Sequence, residues 1–143
     1  MPVLDSYLFF SGNCAQAMRF YERTLGGKLQ TVMTYGEGQG QGQDPEHCPD
    51  GAKDLVMHAS MKLADRTLMA SDVPPTMGPK PMAGFALSLQ YPSAEEARRI
   101  FDALSQGGSV TMAMTKTFWA EAFGMLVDQF GTPWMVGGGM QAV

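Results

Sequence analysis

His58 and Ser71 are the side chains in this 143-residue chain whose spacing most directly suggests shared chemistry. If Ala64-Asp65 is a two-residue hairpin turn, Leu63 pairs with Arg66, Ser60 with Met69 and His58 with Ser71. An imidazole and a hydroxyl then lie on one strand face. The imidazole can titrate near neutral pH and could act as a general base or hold a ligand; it could equally be satisfied by Ser71 or a backbone carbonyl. Cys14 opens a helical pattern, where the helix dipole lowers a thiol pKa, but it sits on the apolar stripe, as a buried structural thiol would. His47-Cys48, with Asp44, Glu46 and Asp50, could collect a cation, although the spacing matches no known ligand set. In "TFWAEAF", Phe118 and Trp119 could stack on a ligand or seal a core or dimer contact, and Glu121 reads as solvated.

The stretch "YGEGQGQGQDPEHCPDG" (35–51) raises a different chemistry, phosphate binding. Its glycines at 36, 38, 40 and 42 alternate and never complete G-x-G-x-x-G. No Lys or Arg occurs between Lys28 and Lys53, so there is no Walker lysine. Glu37, Asp44, Glu46 and Asp50 would repel an anion. The stretch is not a phosphate site.

Composition bounds the remaining options. Hydrophobic residues make up 45% and charged residues 17%, the balance of one globular domain with a real core. A net charge of −4 leaves no basic footprint for nucleic acid. No apolar run approaches the ~20 residues of a membrane span. The start "MPVLDSYLFF" lacks signal-peptide features, and Cys14 and Cys48 form no disulfide framework, so a cytoplasmic setting is expected.

Positioning these residues falls to a repeated unit. "NCAQAMRFYERTLGG" reads as a helix with Asn13 as N-cap, Gln16 closing a capping box and Gly26-Gly27 as the stop. "SAEEARRIFDALSQGG" repeats it with Ser93, Glu96 and Gly107-Gly108. Asn13 and Ser93, Tyr21 and Phe101, and Gly27 and Gly107 are all 80 residues apart. A strand-like run precedes each helix, "SYLFFS" and "FALSLQ". Three follow each: "KLQTVMTY", "LVMHASMKL" and "RTLMAS", then "SVTMAMTK", "AFGMLVDQ" and "TPWMVGG". Each half reads β-α-β-β-β, and the glycine-rich loop at 36–54 lengthens only the first. A loop that long is often a lid. As one, it would favour neutral or cationic ligands, and deleting 37–46 would spare folding, because closure entropy changes by only ~0.6 kcal/mol per doubling of length.

Two βαβββ halves of this size resemble the vicinal oxygen chelate superfamily of glyoxalases, extradiol dioxygenases and bleomycin and fosfomycin resistance proteins. The carrying stretches are "YLFFSGNCAQAMRFYERTLGG" (7–27), "HASMKLADRTLMASD" (58–72) and "TFWAEAFGMLVDQFGTPWM" (117–135), which look most like the PhnB-like branch. The resemblance implies an α+β fold. Two βαβββ modules, about 1–75 and 82–143 of a single domain 1–143, would close an incomplete barrel around a pocket, usually in a homodimer. The branch also carries a demethylubiquinone methyltransferase label, which implies an S-adenosylmethionine site. No matching nucleotide motif is present, and no cofactor is expected.

The superfamily's chemistry rests on a divalent metal held by His, Gln or Glu from the first and last strand of each half. Aligned here, those positions are Ser6, Met69, Ala86 and Met135, which suit no such metal. Alternation places Ser6, Leu8 and Phe10 beside Met69, His58 and Ser71, and Ala86 and Ser88 beside Leu126, Met135 and Gly137. The expected ligand-binding set is Phe10, His58, Met69, Ser71, Ser88, Trp119 and Met135, with no metal ligand. A small, largely apolar molecule is the expected partner; a lyase, isomerase or dioxygenase-type enzyme using His58 or a metal is the alternative.

Overall fold

The computed structural model describes residues 1–40, 52–74, 77–78 and 81–141, in two units, Met1–Pro81 and Met82–Val143. The first contains β1 (Ser6–Phe10), α1 (Cys14–Leu25), β2 (Lys28–Thr34), α2 (Tyr35–Gly40), β3 (Val56–Leu63) and β4 (Arg66–Asp72). The second contains β5 (Leu87–Tyr91), α3 (Ala94–Ser105), β6 (Ser109–Thr115), β7 (Ala120–Val127) and β8 (Pro133–Met140). Their sheets run β1-β4-β3-β2 and β5-β8-β7-β6, both open. In each, the first strand is parallel to the last and the other neighbours are antiparallel. The α+β class and the repeated βαβββ order follow the sequence pattern.

The helical stripes make the cores. Cys14, Ala17, Met18, Phe20 and Tyr21 of α1 are buried against the sheet that carries Leu8, Phe10, Ala59, Met61, Leu68 and Ala70. Ala97, Ile100, Phe101 and Leu104 do the same on α3. Each large buried side chain contributes roughly 1.5–3 kcal/mol. Both helices stop at glycine: Gly26 takes φ 77° and returns its N–H to the Glu22 carbonyl, and Gly107 takes φ 73°.

Two local expectations are corrected. Asn13 precedes α1 but makes no side-chain cap bond. Instead Asp72 Oδ1, at the end of β4, accepts from the Gly12 and Cys14 amides at 2.9 and 3.0 Å. A buried carboxylate is the stronger acceptor and displaces the Asn13–Gln16 box. On α3 the expected Ser93 cap forms: Ser93 Oγ accepts from the Glu96 amide at 3.2 Å. The second correction concerns the glycine-rich loop, which begins as a helix. Thr34 Oγ1 accepts from the Glu37 amide and lies within hydrogen-bond distance of Glu37 Oε1, both at 3.1 Å, a side-chain N-cap. A cut from residue 37 would remove that cap. Residues 41–51, including His47, Cys48, Asp44, Glu46 and Asp50, lie outside the described residues.

Candidate functional site

Residues opposed across a strand pair share a face, and this sorts the side chains of each sheet. The β3–β4 ladder joins Leu63 to Arg66 and Ser60 to Met69, the predicted register. The alternate residues Ala59, Met61, Leu68 and Ala70 are buried on the α1 side. His58, Ser60 and Met69 are therefore on the other face, half-buried, together with Ser71, which is only 6% exposed.

On β1 the faces are the reverse of the expectation. The parallel register sets Tyr7 beside Met69 and Phe9 beside Ser71, while Leu8 and Phe10 fall beside Ala70 and Asp72. Phe10 is thus a core residue of the α1 side, 2% exposed. Tyr7 and Phe9 take the place assigned to it. The reason is one residue. Three residues, Ser11 to Asn13, link β1 to α1, with Gly12 at φ 106°, whereas two, Pro92 and Ser93, link β5 to α3. An alignment taken from the helices slips by one in the strand, and a slip of one exchanges the faces. The strand register, Tyr7 with Met69 and Ser88 with Met135, carries the information that helix periodicity lacks.

The resulting face has a defined polar contact. Tyr7 Oη lies 3.3 Å from His58 Nδ1, the donor depending on the imidazole tautomer. The two ring centroids are 5.8 Å apart, and Phe9 stands 5.1 Å beyond Tyr7. Tyr7 is 39% and Phe9 54% exposed. Met33 of β2 is paired with His58 and joins the same face.

In the second unit Ser88 and Met125 both pair with Met135, and Phe123 and Gln90 with Gly137. Ser88 and Met135 therefore share a face as expected. Leu126 does not: it pairs with Trp134, and both are buried on the α3 side. Trp119 sits in the turn before β7, which Thr117 closes by accepting from the Trp119 and Ala120 amides at 3.3 and 3.1 Å. Its ring lies 5.5 Å from Phe123 and 4.9 Å from Phe118, and Phe118 is 76% exposed. Phe123, absent from the sequence reading, thus brings Trp119 to the Met135 face.

Cys14 is fully buried, and its thiol is pushed up to about 12 by burial and then by the neighbouring Asp72. It is neutral at physiological pH and is no nucleophile. Asp128 is a second buried carboxylate, accepting from the Phe130 and Thr132 amides and from Trp134 Nε1 at 2.8 Å.

Two βαβββ units, each a mixed four-stranded sheet with its helix on one face, define the glyoxalase-like class of α+β proteins. The chain belongs to the Glyoxalase/Bleomycin resistance protein/Dioxygenase superfamily, whose family model matches residues 3–136. It is 41% identical over 140 residues to the Escherichia coli protein YjdN, covering 95% of this chain and 94% of that one. Protein PA1353 from Pseudomonas aeruginosa has a similar structure, with a TM-score of 0.86, 39% identity and coverage of 99% and 100%. The PhnB protein from Bacillus cereus shares the fold at a TM-score of 0.78, with 21% identity and coverage of 96% and 99%.

The superfamily metal can be tested against the donors present. In the first unit, Tyr7 takes the first-strand place given to Ser6 and faces Met69; in the second, Ser88 faces Met135. A phenol, a hydroxyl and two thioethers are poor donors for the hard or borderline divalent ions that want carboxylate and imidazole. Asp5, just before β1, accepts from the Thr67 amide at 3.2 Å. Among the described residues no three His, Cys, Asp or Glu side chains cluster as metal ligands. The donor set does not fit that metal. Among the same residues, no helix is long and apolar enough to cross a membrane.

Proposed function

We propose that the protein binds a small, largely apolar molecule without the superfamily metal. The proposed contacts on the first unit's face are His58, Met69 and Ser71, with Tyr7 and Phe9 in place of Phe10; the second unit's own face carries Ser88, Trp119 and Met135. One observation carries the reading: Tyr7, 39% exposed, sits against a hydrogen-bonded imidazole on a strand face, with Phe9, 54% exposed, next to it. Apolar surface around one or two polar groups is the usual make-up of a small-molecule site. The thioethers add adaptable surface that makes favourable contacts with aromatic rings.

The test is a thermal-shift screen of neutral, cationic and anionic small molecules on protein purified without chelator, with metal analysis of the same sample. A hit whose affinity survives exhaustive chelation supports the reading. Stoichiometric metal whose removal abolishes binding or turnover overturns it. A second reading, a His58-dependent lyase or isomerase, is favoured by the Tyr7–His58 bond, which would orient the ring as a base. His58→Gln separates the two: a binder loses affinity, an enzyme loses turnover while still holding substrate. A cytoplasmic homodimer is also proposed, and a monomeric mass by light scattering at micromolar concentration would remove the dimer.

A further inference from the structure

Asp72 joins four parts of the first unit. Its Oδ1 accepts from Gly12 and Cys14 at 2.9 and 3.0 Å, and its Oδ2 accepts from the Val56 amide at 2.9 Å. Its main-chain carbonyl accepts from Tyr35 Oη at 3.1 Å. Tyr35 and Val56 bracket the glycine-rich segment. Their ends are zipped together by Tyr35 N to Leu55 O and Gly36 N to Lys53 O, both 3.0 Å. Gly36 is needed there, because a Cβ would come within 2.7 Å of Lys53 Cγ.

The second unit is an internal control. Leu68 matches Trp134 and Met69 matches Met135, so the counterpart of Asp72 is Gly138. A Cβ at Gly138 would collide with the Ser93 carbonyl and with Ala97 Cβ. There α3 is capped by its own Ser93, and only Lys116 to Trp119 joins β6 to β7. A βαβββ unit therefore closes without a carboxylate at this place. Burying one, 2% exposed, is costly unless its hydrogen bonds are made. The unit that accepts this cost is the one that carries the segment.

We infer that Asp72 is a positioning residue. It fastens the described ends of the glycine-rich segment, at Tyr35 and Val56, to the strands bearing His58 and Ser71, and so holds the strand of the imidazole in place. Val56 lies two residues before His58, and Asp72 directly follows Ser71.

The experiment transplants the second unit's solution into the first. In Asp72→Gly combined with Asn13→Ser, α1 regains a local cap. Amide exchange should then rise at least tenfold at Tyr35, Gly36, Leu55 and Val56, while Met18 to Glu22 keep wild-type rates. The His58 ring signals should shift or broaden, and Asn13→Ser alone should change none of these. Tyr35→Phe removes one bond and serves if the double variant does not fold. It should speed exchange severalfold at Tyr35 and Leu55 only. Unchanged exchange at the segment ends would overturn the inference, as would a uniform rise across the unit or unaltered His58 signals in the double variant.

Discussion

His58 and Phe123 occupy matching places in the two units. Each lies two residues before the residue opposite the last-strand methionine, Ser60 against Met69 and Met125 against Met135. Beside His58 stands Tyr7, with Phe9 next to Tyr7, both exposed. Around Phe123, itself 8% exposed, the neighbours are Trp119 and Gly137, where a Cβ would come within 3.5 Å of the Phe123 ring. One fold thus supports a strand face centred on an imidazole and another centred on a phenyl ring. Strand order and the pairing of first with last strand are shared, whereas His58 pairs with Met33 on β2 and Phe123, across an added register shift, with Thr115 on β6. What the fold dictates is which positions share a face, and the residues there decide what the face can do.

The largest expected effect comes from forcing the units to match where they differ in backbone room. Gly138→Ala pushes a Cβ into the Ser93 carbonyl and should cost about 3 kcal/mol or more, at the upper end of overpacking penalties. A denaturant midpoint close to wild type would mean that α3 can move away from β8. Trp134→Phe deprives the buried Asp128 of its 2.8 Å indole donor while leaving two amides, for a loss of about 1–3 kcal/mol. Urea melts would measure it.

His58→Phe imports the second unit's residue into the first. Stability should change by less than ~1 kcal/mol, because the site is half-buried and tolerates a ring of similar size. Affinity for a ligand found by the screen should fall about tenfold, and calorimetry would read both. Cys14 gives a pH-dependent contrast. Its folded pKa, about 12, lies above the ordinary thiol value of 9.0, so its contribution is full below pH 9 and is lost as pH rises towards 12. In a Cys48→Ser background, Cys14→Ala should flatten the fall in stability above pH 9. The smallest effect is Ala64→Gly. Ala64 sits at φ 54° in the β3–β4 turn, and glycine should add up to about 1 kcal/mol.

Most of the fold was legible because periodicity and glycine stops are local. The eight strands, both amphipathic helices, the Ser93 cap and the Leu63–Arg66 turn all follow from residues close in sequence. Long-range chemistry was not. Asp72 reads as the polar end of a strand, and nothing within the chain's local pattern says that it caps a helix 58 residues away. The short helix α2 did have a signal, Thr34-x-x-Glu37, hidden by its glycines. Of the candidate site, His58, Met69 and Ser71 were placed on their common face by the hairpin turn. Phe10 was misplaced, and Tyr7 and Phe9 missed, because the link before α1 is one residue longer than its counterpart.

Methionine methyl spectroscopy tests the central claim most directly, because methionines lie on both sides of the first sheet. Met33 and Met69 share the His58 face, whereas Met18 and Met61 are buried between α1 and the sheet. On titration with a ligand from the screen, the Met33 and Met69 methyl signals should shift and those of Met18 and Met61 should stay within error. Shifts at Met18 and Met61 with Met33 and Met69 unmoved would place the ligand elsewhere and contradict the account.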